Sequence, residues 1–119
     1  MFVPDHEKLD VYHRAVRAAA LVEKVALAVP EARADLRDQM RRASTSVVLN
    51  IAEGANGFAP RDKARYYRIA QGSAGECLAA LDLARQVGPG SADDGAARSE
   101  LLHVMGSLRK MVFAMQRRK

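Results

Sequence analysis

The chain has 119 residues, 49% of them hydrophobic, with one cysteine, no tryptophan and a formal net charge of +5 at neutral pH. That length supplies one core and is too short for two ordinary domains, so residues 1–119 are read as a single domain. The lone Cys77 excludes an internal disulfide framework and a cysteine-based zinc site, and it fits a reducing cytoplasm. Few aromatics, many Ala, Leu, Arg and Met residues, and long stretches free of Pro and Gly favour helices over sheets.

The N-terminal stretch MFVPDHEKLD places Asp5 and Glu7 where a secretory signal needs positive charge, and its apolar start stops at Pro4. A first helix is expected from about His6 to Val29, closed by Pro30. Arg17, Glu23 and Lys24 interrupt its apolar residues, so no membrane span is expected and the protein reads as soluble and unexported. Ala15, Val16, Ala18 to Val22, and Val25 to Leu27 wrap most of the helix circumference. That is more apolar surface than one core face needs, and it predicts contact with a second subunit.

A second helix is expected from Ala32 to Asn56, with Gly57 as a suitable residue just past its end. Leu36, Met40, Ala43, Val47 and Ile51 form its apolar stripe, and Gln39, Arg42, Ser46, Asn50 and Glu53 make a polar row beside it. Arg33, Arg37 and Arg41 recur every four residues on what is expected to be its exposed side. Glu53 lies near the helix C-terminus, where the macrodipole disfavours an anion by roughly 0.3–1 kcal/mol, so a compensating cation is expected.

Pro60 suits the first turn of a third helix running to Val87, which Gly88-Pro89-Gly90 ends. Antiparallel pairing of the second and third helices sets level those residues whose numbers sum to about 117. Arg42 then faces Glu76, Ser46 faces Gln71 to Ser73, Asn50 faces Tyr67, and Lys63, Arg65 and Arg68 come within reach of Glu53. Gly72, Ala74 and Gly75 are expected to admit close backbone approach. The row thus predicts a partly buried network of Gln39, Arg42, Ser46, Asn50, Glu53, Tyr67, Ser73 and Glu76, with Arg42 and Glu76 as its ion pair.

A fourth helix is expected from Ala92 to Arg117, with Ser91 as N-cap and Asp93 and Asp94 at its positive dipole end. Leu101, Met105, Leu108, Val112 and Met115 alternate steps of four and three along one seam, widened by Val104 and Met111. From Leu101 onward there are five cations and no acid, which makes the tail a basic pole. Short connections favour antiparallel neighbours, so the expected fold is an all-α, up-down-up-down four-helix bundle.

A bundle with carboxylates and histidines invites a di-iron reading, which needs paired Glu-x-x-His units and two further glutamates. Glu100 to His103 has the spacing, Asp10 to His13 nearly so, and Glu53 and Glu76 could complete the set. His103, however, is two residues from both Leu101 and Met105 and so points away from the seam. Ser44, Ser46 and Ser73 share no helix with a histidine, Cys77 has no obvious activating partner, and no glycine pattern matches a phosphate loop. Neither metal, cofactor nor catalytic site is expected, and Asn50 with Glu53 reads as a helix end held by polar contacts.

The pattern resembles the small bacterial four-helix-bundle family of 23S rRNA gene intervening-sequence proteins. The resemblance runs through Leu9, Val11, Tyr12, Ala15, Pro30 and Leu36 to QMRRASTSVVLNIAEG and YYRIAQGSAGE, covering the first three helices, while the fourth matches in its apolar pattern. Its most specific parts are Gln39, Arg42, Ala43, Ser46, Asn50 to Gly54, then Arg65, Ala70, Gly72, Ser73 and Glu76. Tyr12 stands where the family often has Trp, and Ala59-Pro60 where it often has a Ser or Thr cap. The resemblance implies a cytoplasmic, non-enzymatic bundle assembled as a ring, a homopentamer. The chain is also similar to the accessory protein of diversity-generating retroelements, a basic ring that engages a reverse transcriptase and nucleic acid.

Two functions follow as expectations. One is a nucleic-acid-binding assembly that uses Arg33, Arg37 and Arg41, then Arg61, Arg65 and Arg68, and Arg117, Arg118 and Lys119, against RNA or DNA. The other is a scaffold whose basic surface grips an acidic protein partner without touching nucleic acid. Tyr66 and Tyr67 read as packing residues rather than stacking platforms.

Overall fold

A computed structural model describes residues 1–87 and 93–117. Four α-helices and no strand are present among them: α1 Asp10–Leu27, α2 Ala34–Asn56, α3 Pro60–Val87 and α4 Gly95–Gln116. The neighbours α1–α2, α2–α3, α3–α4 and α4–α1 pack together, while the diagonal pairs do not approach, so the chain runs up, down, up and down around one core. Met40, Ile51, Leu81, Leu101 and Leu108 are its largest fully buried side chains, and Val22, Val47 and Val104 fill the levels between them.

The boundaries differ from the sequence expectation where the chain turns. Asp5–Lys8 form a separate 3-10 turn, and Leu9 is extended (φ −98°, ψ 124°), so α1 starts at Asp10 rather than His6. This break lets the Leu9 side chain turn onto the core. A second 3-10 turn, Glu31–Arg33, delays α2 to Ala34. The expected Ser91 cap, the Gly88-Pro89-Gly90 stop and the start at Ala92 lie outside the described residues, and α4 begins at Gly95 with Asp94 in the N-cap position.

Gly57, expected to end α2 through its freedom of backbone, has φ −76° and ψ 166°, extended backbone that any residue adopts. The helix end is closed from α3 instead. Lys63 Nζ donates to the carbonyls of Gly54 at 3.1 Å and Ala55 at 2.8 Å. An ammonium on the last turn supplies a partner to Ala55 and a second donor to Gly54, whose oxygen also accepts the Gly57 N–H at 3.3 Å, and it offsets the negative dipole end directly. The cation expected to compensate Glu53 thus compensates the helix end beside it.

The α1 core face is Val11, Ala15, Ala18, Val22, Val25 and Ala26. On the other side Ala20, Val16 and Leu27 are exposed, so the surplus apolar surface in the sequence does reach solvent. In α4 the deep line is Leu101, Val104, Leu108 and Val112, whereas Met105, Met111 and Met115 are half-buried flanks. No described helix is long and apolar enough to cross a membrane.

Candidate functional site

The polar row of α2 lies along its seam with α3. Met40 and Cys77 come level near the start of α2, with the Cys77 thiol 4.0 Å from the Met40 carbonyl oxygen. Further along α2, the Ser46 and Ser73 hydroxyls are 2.7 Å apart. Asn50 Nδ2 donates back to the Ser46 carbonyl at 2.9 Å and to its hydroxyl at 3.0 Å. Gln39 Nε2 donates to Glu76 at 3.3 Å near the other end. Small residues at Ala43, Ser73 and Ala74 let the two helices meet here.

The expected Arg42–Glu76 ion pair does not form. Gln39 is the partner Glu76 takes, and Arg42 is exposed along a shallow groove with Thr45, Ser46, Leu49 and Asn50. Rotation about the helix axis explains it: the two residues sit at matching levels, but Arg42 points outward beyond the seam while the serines and Asn50 occupy it. Glu53 is likewise exposed. Two of the small residues expected between the helices also face elsewhere. Gly72 opens to solvent with nothing within 4 Å of where a Cβ would stand, and Gly75 lies against Met105 of α4.

The close approach occurs at Gly54. A Cβ added there would stand 2.6 Å from Cε1 of Tyr67, whose ring is buried at 3% exposure. That is inside any real carbon–carbon contact, so the backbone of α2 serves as the wall against which the tyrosine packs. The asparagine and glutamate before this glycine flank a packing joint.

Arg33, Arg37 and Arg41 are engaged by their own chain, unlike Arg42. Arg33 makes two bonds to Asp35, at 3.0 and 3.2 Å, and their chief effect is to hold the Asp35 carboxyl below its ordinary range. Arg37, whose side chain is 18% exposed, donates to the carbonyls of Ala26 at 3.3 Å and Val29 at 2.9 Å and pairs with Glu31. It therefore ties the end of α1 to α2 and is not the exposed cation expected of it. Arg41 Nε donates to both oxygens of Glu23, and that bond lowers the Glu23 pKa.

Helix α3 is different. Arg61, Arg65 and Arg68 are all exposed and form no ion pair among the described residues. At 3.6 residues per turn they fall within an arc of about 60°. The Arg65 guanidinium stands 5.4 Å from the centroid of the Tyr66 ring. Arg117 is exposed at the far end of α4, while Arg118 and Lys119 lie outside the described residues.

Groups that could carry chemistry are dispersed. His103, Glu53 and Glu76 are exposed, and Glu100 pairs with Arg14 at 3.4 Å. Among the described residues no three of His, Cys, Asp and Glu converge where they could share a metal. His13 Nε2 lies 2.8 Å from the Glu7 carbonyl oxygen, which holds the first 3-10 turn to α1. Burial pushes the Cys77 thiol up to about 12, so its thiolate is negligible near neutrality. Native protein is expected to leave a chromogenic disulfide reagent unreacted at pH 8 over minutes and to release one equivalent on addition of denaturant. Stoichiometric reaction of the native chain would show that Cys77 is reached without unfolding.

Sequence reasoning missed Phe58. In the turn between α2 and α3 it is 99% exposed and borders an open cleft of about 500 Å³ with Glu53, Asn56, Asp62, Arg65 and Tyr66. A phenylalanine between two helices reads as a staple or a core residue, and only its exposure reveals otherwise.

Residues 7–111 match the model of the family described as 23S rRNA-intervening sequence protein. The chain belongs to that family, and the match extends into α4, beyond the motifs of the first three helices. No match is found among curated proteins.

Proposed function

We propose that this intervening-sequence protein works in the cytoplasm without catalysis, as a ring of identical copies, and that it binds nucleic acid through the basic surface of α3. The observation that carries the reading is the row of Arg61, Arg65 and Arg68, three exposed guanidinium groups free of ion pairs among the described residues. Cations already paired within a chain gain little from a phosphate, because a new contact must displace an existing one. Unpaired arginines on one helix face release phosphate counterions without that loss. Arg33, Arg37 and Arg41 therefore drop to a secondary role, and Arg117 adds to the surface from α4.

Repetition in a ring strengthens a sequence-independent attraction: five copies of a +5 chain carry a formal charge of about +25. Outward Val16, Ala20 and Leu27 on α1 support the self-association. A reverse transcriptase already holding nucleic acid is one partner that such a ring would suit.

The test is fluorescence anisotropy with structured RNA and duplex DNA across a salt series, on protein whose mass is checked by light scattering. Replacing Arg61, Arg65 and Arg68 together by alanine is expected to weaken binding on every sequence. The log-log salt slope should fall by about 2–3, near 0.9 for each phosphate contact removed. A wild-type oligomer that binds neither nucleic acid would overturn the reading and direct attention to an acidic protein partner.

A further inference from the structure

From the α2–α3 turn we infer a binding site for an unstacked base of single-stranded nucleic acid, with Phe58 as its stacking platform. The inference rests on the nucleic-acid reading of α3 and adds the class of nucleic acid and the residue that selects it. Phe58 is 99% exposed, more than either Phe2 or Phe113, and its ring contributes nothing to the core. It borders the cleft of about 500 Å³, with Tyr66 and Arg65 on the cleft wall. The same Arg65 belongs to the unpaired row with Arg61 and Arg68.

This juxtaposition is what a single strand requires. An aromatic ring beside a track of cations receives a base face while the cations hold the backbone, and the pairing tolerates any base because every base has a π-face. From Arg61 to Arg68 the helix rises roughly 10 Å, enough to meet more than one phosphate. The two carboxylates in the cleft decide the orientation. Glu53 and Asp62 repel a phosphate, so the backbone stays on the outer row, and they accept hydrogen bonds from the amino or imino edge of a base that enters. A duplex presents neither a free base face nor an unpaired edge, and it gains only the phosphate contacts.

The chain has no tryptophan, so Phe58→Trp places a unique fluorophore at the site. The probes are a single-stranded 12-nucleotide RNA and the duplex made with its complement, each titrated into the full-length chain. Phe58→Ala is expected to lose about 5- to 100-fold in affinity for the single strand while duplex affinity stays within about twofold. Its salt slope should be unchanged, since no phosphate contact is removed. Phe58→Trp should keep single-strand affinity, with emission quenched by the single strand and not by the duplex. Unchanged single-strand binding by Phe58→Ala, or unquenched indole emission from bound Phe58→Trp, would overturn the site while leaving the α3 reading intact if the triple arginine variant still weakens binding. A fall in assembly mass for Phe58→Ala would overturn it in favour of a contact between copies. Absence of binding to either probe by the wild-type oligomer would remove the functional reading itself.

Discussion

Replacing Tyr67 by alanine is expected to destabilise the fold by about 3–5 kcal/mol, the loss for a large buried aromatic that leaves a cavity. Its ring is 3% exposed and lies against the backbone of α2 at Gly54, so its loss opens a cavity between the two helices. The complementary change, Gly54→Ala, introduces a Cβ 2.6 Å from Cε1 of that ring. Overpacking of this kind costs about 1–3 kcal/mol, against which the better helix propensity of alanine returns only about 1 kcal/mol. The two changes share one contact, and the double variant should be more stable than the sum of the single losses predicts, because removing the ring removes the clash. Urea midpoints of the four proteins measure this cycle directly. Strict additivity would show that the ring and the glycine do not touch in solution.

The second large effect is at the start of α4. Asp94 is buried at 5% exposure, accepts from Arg85 Nε at 2.8 Å and from Arg85 Nη2, and stands beside Arg98. Arg98 also pairs with Asp82 of α3. One carboxylate therefore joins the end of α3 to the first turn of α4. Asp94→Asn keeps the shape and removes the charge, and it is expected to cost about 2 kcal/mol, short of a fully buried pair because Arg85 is half-exposed and solvent screens it. The Arg85 hydrogen bond, against a smaller opposing effect of burial, holds the Asp94 carboxyl below its ordinary range. A carboxyl depressed in the folded state contributes stability that is present above its unfolded value of about 3.9 and is lost as pH falls through the lower folded value. The difference in melting temperature between wild type and Asp94→Asn should therefore be full at pH 7 and close on acidification below about pH 4. A gap that persists at low pH would assign the loss to packing instead of charge.

Periodicity made the fold legible. Stripes such as Leu36–Met40–Val47–Ile51 and Leu101–Leu108–Val112 report an inward face at any register, and short Pro- and Gly-marked turns leave one simple way to order four helices. Level was legible too, since the Met40–Cys77 and Ser46–Ser73 contacts sit near the register that the α2–α3 turn imposes. Direction around the helix was not. Arg42 and Glu76 share a level, yet a few tens of degrees of rotation turn Arg42 outward and leave Glu76 to Gln39. Partnership of charges was hidden for the same reason. Arg37 and Arg61 look alike in sequence, but Arg37 reaches the carbonyls of Ala26 and Val29 at the end of α1, whereas Arg61 pairs with no carboxylate among the described residues. Phe58 shows the remaining limit: hydrophobicity predicts burial on average, and a residue held out in a turn is recognised only by its surroundings.

The up-down order of the helices also fixes how the chain reaches this state. Three of the four seams join helices consecutive in the chain, so most native contacts link residues close in sequence, the condition under which small domains fold within microseconds to milliseconds. Of the four seams between described helices, the one that joins distant segments is α1 against α4, with Arg14 and Glu100 meeting across 86 positions. Closing that seam carries the loop entropy that the others avoid. The polar link across it is thin as well: Arg14 Nη1 meets Glu100 at 3.4 Å, while Arg14 Nε stands 3.3 Å from Asp10 of its own helix and Glu100 Oε2 is buried without a hydrogen-bond partner among the described residues. The ladder of amide protection should accordingly descend from the α2–α3 hairpin to the α1–α4 seam, where the cylinder opens first.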